Sequence, residues 1–295
     1  MANVSSGDER RTIEELATRY ELEPTLRDIY VEGGFDVSVV GEVLTQAGCY
    51  DAAVYEINVV DIPPEVLVKH NLPDGNKGRV MALCFELDPQ IATPAQVSGL
   101  VDRDYDRVVG REYANRLLVF TDYSCMEMYF FDELVIARFC RIFVRRNGEL
   151  ATQLIQELTP ILRDLFFIRA TNEALQLGLH WLDADKQCAI QNGALELNRK
   201  TFVQRYLNKN AMLHELGRFN ETLESFQRTS DERETRHQIN GHDFVRLLAK
   251  RLHPIVRNKT IADADVIERV LPSFADYGQL REAQMFATLI FRVSS

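Results

Sequence analysis

Acidic residues follow two short apolar segments of the chain, in positions typical of a metal site. Glu32 ends the β-branched and aromatic run that begins at Arg27. A second apolar run, from 97 to 101, is followed by three alternating aspartates, Asp102, Asp104 and Asp106. Alternation along an extended segment would place these three carboxylates on one side. If the two segments are neighbouring strands, their carboxylates converge and repel one another unless a cation lies between them.

The expected cation is Mg²⁺ or Mn²⁺, because carboxylate oxygens are hard ligands that suit these ions better than Zn²⁺. A divalent ion there can neutralise a phosphodiester, position a water molecule and stabilise the leaving oxygen. The alternative is that the aspartates form a solvated turn and that Glu32 caps a helix. Because both groups stand at a strand end beside a turn, we favour a metal site with the ligands Glu32, Asp102, Asp104 and Asp106.

The elements needed to bring these carboxylates together can be traced in the first half of the chain. Gly33-Gly34 breaks the first strand, and apolar residues at helical spacing follow from Asp36. Further strands are expected at 53–60, 96–101 and 117–120, with a helical run through 80–87. Strands that alternate with helices predict an α/β fold with a mostly parallel sheet flanked by helices. In such sheets ligands bind beyond the carboxyl ends of the strands.

The organisation expected from this pattern has three parts. Residues 1–24 are polar and form an N-terminal arm, with a short helix that Thr12 and Glu15 cap reciprocally. Residues 25–146 form the α/β domain, and residues 147–295 form a helical region with little strand signal. Helices are expected at 126–146, 149–179, 198–226, 242–253 and 263–292.

The composition limits how the chain can hold nucleic acid. Its formal net charge is −10 and its isoelectric point is near 5.2, so the chain as a whole repels a polyanion. Any contact with nucleic acid must therefore be local. Basic stretches at 199–209 and 246–257 are candidates, with ordinary solvated helix faces as the alternative. A further candidate is a group of four arginines, Arg138, Arg141, Arg145 and Arg146.

The cysteines and the N-terminal residues indicate the compartment. The five cysteines form no CxxC pair and no cluster with zinc-ligand spacing, so neither a disulfide framework nor a structural zinc is supported. The first residues lack the apolar core of a signal peptide, and no apolar run approaches the ~20 residues that span a bilayer. We therefore expect a cytoplasmic protein without membrane contact.

Two motifs of the chain resemble those of the TOPRIM class, which is shared by topoisomerases, primases and overcoming-lysogenization-defect nucleases. The segment 29–36 is similar to its first motif, an apolar strand followed by Glu-Gly-x-x-Asp, and 100–104 is similar to its second, Asp-x-Asp. The resemblance implies a TOPRIM-like fold in which the glutamate is a general acid or base and the aspartates bind magnesium. By this resemblance the catalytic residues are Glu32, Asp102 and Asp104, and the secondary ones are Asp36 and Asp106.

A narrower resemblance covers nearly the whole chain. The segments 75–80, 101–106, 121–128 and 240–243 resemble those of a bacterial family that joins a TOPRIM core to a helical C-terminal region. This family comprises the AriB-type effectors of PARIS anti-phage defence, which are paired with an AriA-like ABC-type ATPase. The resemblance implies a toxin-like nuclease that the ATPase releases on infection and that cleaves transfer RNA. The chain departs from the family at Phe35 and Cys125, and neither residue is a presumed ligand.

Further residues are candidates for the site, each with an ordinary structural alternative. Lys77 and Arg79 can clamp a phosphate of the substrate, or they can belong to a solvated loop. Glu127 can be an additional metal-site or substrate-binding carboxylate, or a negative charge at a helix N-terminus. His242 with Asp243 can act as a general acid pair, although a helix opening after Asn-Gly favours a structural role.

The resemblance therefore implies a nuclease effector of anti-phage abortive infection that depends on Mg²⁺ or Mn²⁺, with transfer RNA as the expected substrate. The alternative is a non-catalytic subunit whose TOPRIM fold docks on an ATPase, but the complete set of Glu32, Asp102 and Asp104 favours the enzyme. A primase or topoisomerase fragment is disfavoured, since the sequence lacks a catalytic tyrosine domain, a zinc ribbon and a strongly positive net charge. Because a cell cannot tolerate a free RNA nuclease, we expect inhibition by the ATPase. Because an acidic chain with scattered arginine patches has little intrinsic affinity for a polyanion, we also expect a homodimer when active.

Overall fold

The computed structural model describes residues 10–230 and 235–294. These residues form an α/β structure that contains a parallel sheet flanked by helices and divides into two compact units. The first unit takes in the described residues up to Asp102, Tyr113–Asp122 and those from Asp276 onward. The second takes in Arg103–Glu112 and the described residues from Tyr123 to Ala275. Both units are discontinuous in sequence, whereas the domains predicted at 1–24, 25–146 and 147–295 are contiguous; those boundaries stay predictions.

The described residues contain six strands and fourteen α-helices. The strands are β1 (Asp28–Val31), β2 (Ala53–Glu56), β3 (Val97–Val101), β4 (Leu118–Phe120), β5 (Ala189–Gln191) and β6 (Ala194–Glu196). The helices are α1 (Ile13–Leu22), α2 (Gly34–Gln46), α3 (Pro64–Lys69), α4 (Asn76–Leu87), α5 (Asp106–Val109), α6 (Glu133–Phe139), α7 (Glu149–Ala174), α8 (Ala184–Gln187), α9 (Arg199–Lys209), α10 (Leu216–Thr229), α11 (Gly241–Leu252), α12 (Ala264–Val270), α13 (Tyr277–Leu280) and α14 (Gln284–Ser294). None of these helices combines the length and the apolar character needed to cross a bilayer.

The sheet of the first unit has the strand order β2-β1-β3-β4, and every pair of neighbours is parallel. All residues of β1 and β3 are buried, and most of them are apolar, as is typical of strands that are covered on both faces. From β1 the chain moves to β2 on one side, and from β3 it moves to β4 on the other. The topological switch point therefore lies between β1 and β3, where sheets of this kind bind ligands.

The second unit is built around the long helix α7, which contacts α6, α10 and α11. Its buried face carries leucines at helical spacing, Leu154, Leu158, Leu162 and Leu165. The described residues of this half contain little strand structure, as expected, and β5 and β6 form one short antiparallel hairpin that was not predicted. Asn192 and Gly193 join the two strands with φ values of 51° and 82°. The Asn-Gly dipeptide favours two-residue hairpin turns in which both residues have a positive φ.

Two helical glycines differ in what an added methyl group would meet, and this difference predicts opposite effects on stability. A Cβ on Gly78 would lie 1.9 Å from the carbonyl oxygen of Pro73, whereas a Cβ on Gly217 would meet no atom within 4 Å. The backbone at Pro73 can move away from this clash only by distorting the surrounding structure. We therefore expect Gly78→Ala to lower the free energy of unfolding by about 3 kcal/mol. Gly217→Ala should raise it by up to about 1 kcal/mol, because alanine favours helix. Urea unfolding of the two variants tests this, and equal effects would contradict it.

Candidate metal centre

Glu32 and Asp102 meet at the carboxyl edge of the sheet, as the sequence predicts. Glu32 follows β1 directly and Asp102 follows β3 directly, and β1 and β3 are hydrogen-bonded neighbours. Oε1 of Glu32 accepts a hydrogen bond of 2.9 Å from the backbone nitrogen of Asp102. Both side chains are partly exposed. The two residues therefore lie together at the switch point of the sheet, where solvent and ligands can reach them.

The local structure that holds Glu32 comes from the two glycines and from the start of α4. Gly33 donates its backbone N–H to Oδ2 of Asp36 at 3.2 Å, which fixes the first turn of α2. The Nδ2 group of Asn76, the first residue of α4, donates to the backbone carbonyl of Glu32 at 2.8 Å. Asp36 thus has a structural role at the helix start, consistent with its secondary place in the motif.

Glu56 is a third carboxylate at this edge of the sheet. It is the last residue of β2 and pairs in register with Val31 of β1. A Cβ on Gly34 would lie 2.7 Å from Oε1 of Glu56, so glycine at this position leaves space for the carboxylate. The amide of Asn58 donates to Oε2 of Glu56 at 2.7 Å. The sequence prediction missed Glu56, because it continued the second strand to Val60.

The segment after Asp102 turns and does not continue as a strand. Asp104 has a φ of 46° in the left-handed region, and its backbone nitrogen donates to the carbonyl of Ser124 at 2.7 Å. Asp106 is the first residue of α5 and is 8% exposed. The assumption of an extended, alternating segment was therefore wrong beyond β3. Asp104 and Asp106 belong to the second unit, and their roles as metal ligands stay predictions.

Lys77 and Arg79 both lie in the first turn of α4, which begins at Asn76. The prediction that these two residues precede the helix was therefore wrong. The Nη2 group of Arg79 donates to the backbone carbonyl of Val60 at 2.9 Å, so this side chain is partly buried and anchors a loop. Lys77 is partly buried as well. Phosphate binding by these two residues stays a prediction.

Glu127 lies in a second cluster of ionisable groups, which is formed within the second unit by Glu127, His242 and Glu268. Their nearest ligand atoms lie within 4.8 Å of one another, an arrangement that can hold a metal ion. Nδ1 of His242 is 4.0 Å from Oε1 of Glu127 and 3.6 Å from Oε1 of Glu268. One nitrogen and two carboxylate ligands suit Mn²⁺ or Zn²⁺ better than Mg²⁺.

Burial controls the charge of Glu127. The residue is 8% exposed, and this burial raises the pKa of its carboxyl group, whereas the nearby His242 opposes the shift. A Cβ on Gly241 would lie 2.2 Å from the carboxyl carbon of Glu127, so this close approach depends on glycine at the start of α11. Glu127 therefore lies against a helix N-terminus, the structural alternative considered for it.

Asp243 does not pair with His242 in the manner of a general acid pair. Its two carboxylate oxygens accept hydrogen bonds of 2.8 and 3.0 Å from Arg169 of α7, and its side chain is buried. The guanidinium carbon of Arg169 also lies 3.6 Å from the centroid of the Trp181 ring. This ion pair joins α7 to the first turn of α11, so the structural alternative for Asp243 is confirmed.

The stability of the second unit should depend on the protonation of His242. The hydrogen bond to Glu268 and the negative charges of Glu127 and Glu268 raise the pKa of His242 above 6.5, although burial and Arg169 oppose the shift. A raised folded-state pKa means that protonated His242 stabilises the fold fully below pH 6.5 and that this contribution disappears as the pH rises through the raised pKa. In buffer containing EDTA, His242→Gln should lower the urea midpoint most at acidic pH and least at pH above the raised pKa. If the difference in urea midpoint between the wild type and His242→Gln grows as the pH rises, the stabilising role of protonated His242 is wrong.

Sequence reasoning missed the partners of Glu127. Glu268 lies on α12 and His242 on α11, and these two helices pack against each other. The two residues are far apart in sequence, so no spacing signal joins them. The packing of α11 on α12 is what brings them together.

No protein-family model and no curated protein matches the chain.

Proposed function

We propose that this chain is a metal-dependent nuclease of the TOPRIM type, in which Glu32 and Asp102 hold the catalytic cation. One observation carries the proposal: the two acidic residues follow the central strands β1 and β3, and a 2.9 Å hydrogen bond joins them at the switch point. The four-stranded parallel sheet flanked by helices is compatible with a TOPRIM-like fold. Glu56 adds a third carboxylate to the same edge.

The chemistry of these residues suits the hydrolysis of a phosphodiester. Bound Mg²⁺ or Mn²⁺ would supply charge neutralisation for the phosphate. Asp102 offers oxygen ligands at the edge of the sheet, and Glu32 can ligate the cation or move a proton to or from water. The sequence motif adds Asp104 and Asp106 as further expected ligands.

We also propose the biological setting that the resemblance implies. The substrate is a nucleic acid, with transfer RNA as the expected one, and an ABC-type ATPase keeps the nuclease inactive until infection. Activity in a homodimer is also proposed, because an acidic chain has little intrinsic affinity for a polyanion and gains from two linked sites.

A cleavage assay on total transfer RNA tests this function. The chain, purified without the ATPase, should produce RNA fragments with Mg²⁺ or Mn²⁺ and none with EDTA. Asp102→Asn should cleave at least about a hundredfold more slowly, because a metal ligand is lost. Asp51→Asn, a change of an exposed aspartate beyond α2, is the matched control and should cleave normally.

Two results would overturn the proposal. One is the absence of metal-dependent cleavage of any nucleic acid by the purified chain, which would favour the non-catalytic docking subunit. The other is full activity of a well-folded Asp102→Asn protein. Addition of the ATPase should reduce cleavage, and an undiminished rate in a stable complex would contradict the inhibitory role alone.

A further inference from the structure

Two arginines and two aromatic rings form a cluster in the second unit, which we name the arginine–aromatic platform: Arg107, Tyr123, Arg236 and His237. The guanidinium carbon of Arg236 lies 4.1 Å from the centroid of the Tyr123 ring. The ring centroids of Tyr123 and His237 are 5.4 Å apart. Nη1 of Arg107 lies 3.1 Å from Nδ1 of His237. Arg107 is exposed and the other three are partly exposed, so the cluster forms an accessible surface.

Ser124 fixes the backbone that presents the platform. Its backbone N–H donates to the carbonyl of Arg236 at 3.2 Å. Its hydroxyl lies 3.0 Å from the same carbonyl and 2.5 Å from that of Ile239. The carbonyl of Ser124 in turn accepts the 2.7 Å hydrogen bond from Asp104. The platform is therefore held in place before any ligand binds, and one residue connects it to a predicted catalytic aspartate.

We propose that the arginine–aromatic platform binds unpaired nucleotides of a single-stranded nucleic acid. Aromatic rings and planar guanidinium groups stack with unpaired bases, and Arg236 over Tyr123 already forms such a layer. Arg107 is the exposed cation beside the rings and can pair with the backbone phosphate. Bases in a duplex are already stacked on one another, so the rings favour a single strand.

The composition of the chain supports this assignment. With a net charge of −10, the protein cannot hold a polyanion through its overall field. Affinity must come from a local site that combines cations with stacking surfaces, and the platform has both. The inference rests on the proposed function, since it takes the substrate to be a nucleic acid, and it specifies the unpaired form and the residues that bind it.

Fluorescence anisotropy with a labelled oligoadenylate RNA tests the platform, with a duplex RNA of equal length as the comparison. EDTA in the buffer prevents metal-dependent cleavage. The wild-type chain should bind the single strand more tightly than the duplex. Tyr123→Leu should weaken this binding about tenfold, because base stacking is lost. Tyr123→Phe keeps the ring and should bind like the wild type.

The two arginines should respond differently. Arg236→Lys keeps the charge but loses the planar stack, so the single strand should bind several-fold more weakly with an unchanged salt dependence. Arg107→Gln removes the proposed phosphate contact. The negative slope of log affinity against log salt concentration should therefore become shallower by about 1. Arg218→Gln is the matched control on the exposed surface of α10, and its binding should equal that of the wild type.

The failure of this inference can be told apart from the failure of the proposed function. If the chain cleaves RNA and the platform variants, with unchanged thermal unfolding, bind the single strand like the wild type, the platform is wrong and the function stands. Equal wild-type affinity for duplex and single strand also overturns the platform. A wild-type chain that neither binds nor cleaves nucleic acid overturns the proposed function itself. Should Tyr123→Leu fail to fold, the exposed change Arg107→Gln and the conservative Arg236→Lys decide the result.

Discussion

Glu32→Gln is expected to abolish metal-dependent cleavage while leaving the fold intact. The amide oxygen of glutamine can still accept the hydrogen bond that the backbone nitrogen of Asp102 donates at 2.9 Å, so the end of β1 keeps its local structure. The variant loses a negative charge beside the proposed cation and the ability to take up a proton. A loss of about 10²–10⁴-fold in the cleavage rate is expected for a general acid or base.

The matched control for this prediction is Glu65→Gln, which makes the same chemical change at an exposed glutamate of α3. Both variants should show the wild-type circular dichroism and unfolding midpoint, and Glu65→Gln should keep the wild-type rate. Full cleavage by a folded Glu32→Gln protein would remove Glu32 from the mechanism.

Arg251→Leu is expected to destabilise the second unit strongly. Nε of Arg251 lies 2.7 Å from Oε1 of Glu157, and the two side chains are only 7% and 9% exposed. Glu157 also accepts a hydrogen bond from the backbone nitrogen of Leu195 in β6, so this pair connects α7, α11 and the hairpin. Removal of the arginine leaves a buried carboxylate without its cation, and this costs about 3–5 kcal/mol of unfolding free energy.

The double variant Arg251→Leu with Glu157→Gln tests the physical reason. Glutamine carries no charge but still offers an oxygen to Leu195, so most of the lost stability should return. Arg218→Leu removes the exposed partner of a 3.6 Å ion pair with Glu215 and should change the free energy of unfolding by less than about 1 kcal/mol. Urea unfolding measures all three, and an effect of Arg251→Leu as small as that of Arg218→Leu would refute the assignment.

The central part of the candidate site could be predicted from the sequence because its signals are local. Apolar runs buried on both faces mark β1 and β3, and the break at Gly33-Gly34 marks the end of the first strand. Parallel neighbours then bring Glu32 and Asp102 to the same edge, and they meet there. The capping box of Thr12 and Glu15 was predicted for the same reason, and it is confirmed.

Other features depend on backbone conformation that the residue types do not reveal. The left-handed φ of Asp104 is uncommon for a residue with a side chain, so the extended interpretation of this segment was the reasonable one and it was wrong. Arg79 is held by a carbonyl of Val60, which only the packing of α4 brings near. The hairpin at Asn192-Gly193 differs from Asp104 and Arg79, because the Asn-Gly dipeptide that indicates a hairpin turn is present in the sequence and was overlooked.

Two further features could not be predicted from the sequence because they depend on tertiary packing. The cluster of Glu127, His242 and Glu268 requires α11 and α12 to lie beside each other. The arginine–aromatic platform likewise requires the segment at 236–239 to bind Ser124. Neither arrangement has a repeat or a spacing that could be recognised along the chain, because their members come from distant segments.

Direct measurement of Mn²⁺ binding tests whether Glu32 and Asp102 hold the catalytic cation. Electron paramagnetic resonance reports the free ion during titration of the wild-type chain, of Asp102→Asn and of His242→Gln. Asp102→Asn should weaken the tightest Mn²⁺ binding at least about tenfold, since one of the residues that contact the ion is lost. His242→Gln, which alters the cluster of Glu127 and Glu268, should leave that binding unchanged. Unchanged Mn²⁺ affinity in Asp102→Asn together with a loss of affinity in His242→Gln would show that the cation binds at the cluster of Glu127, His242 and Glu268 instead.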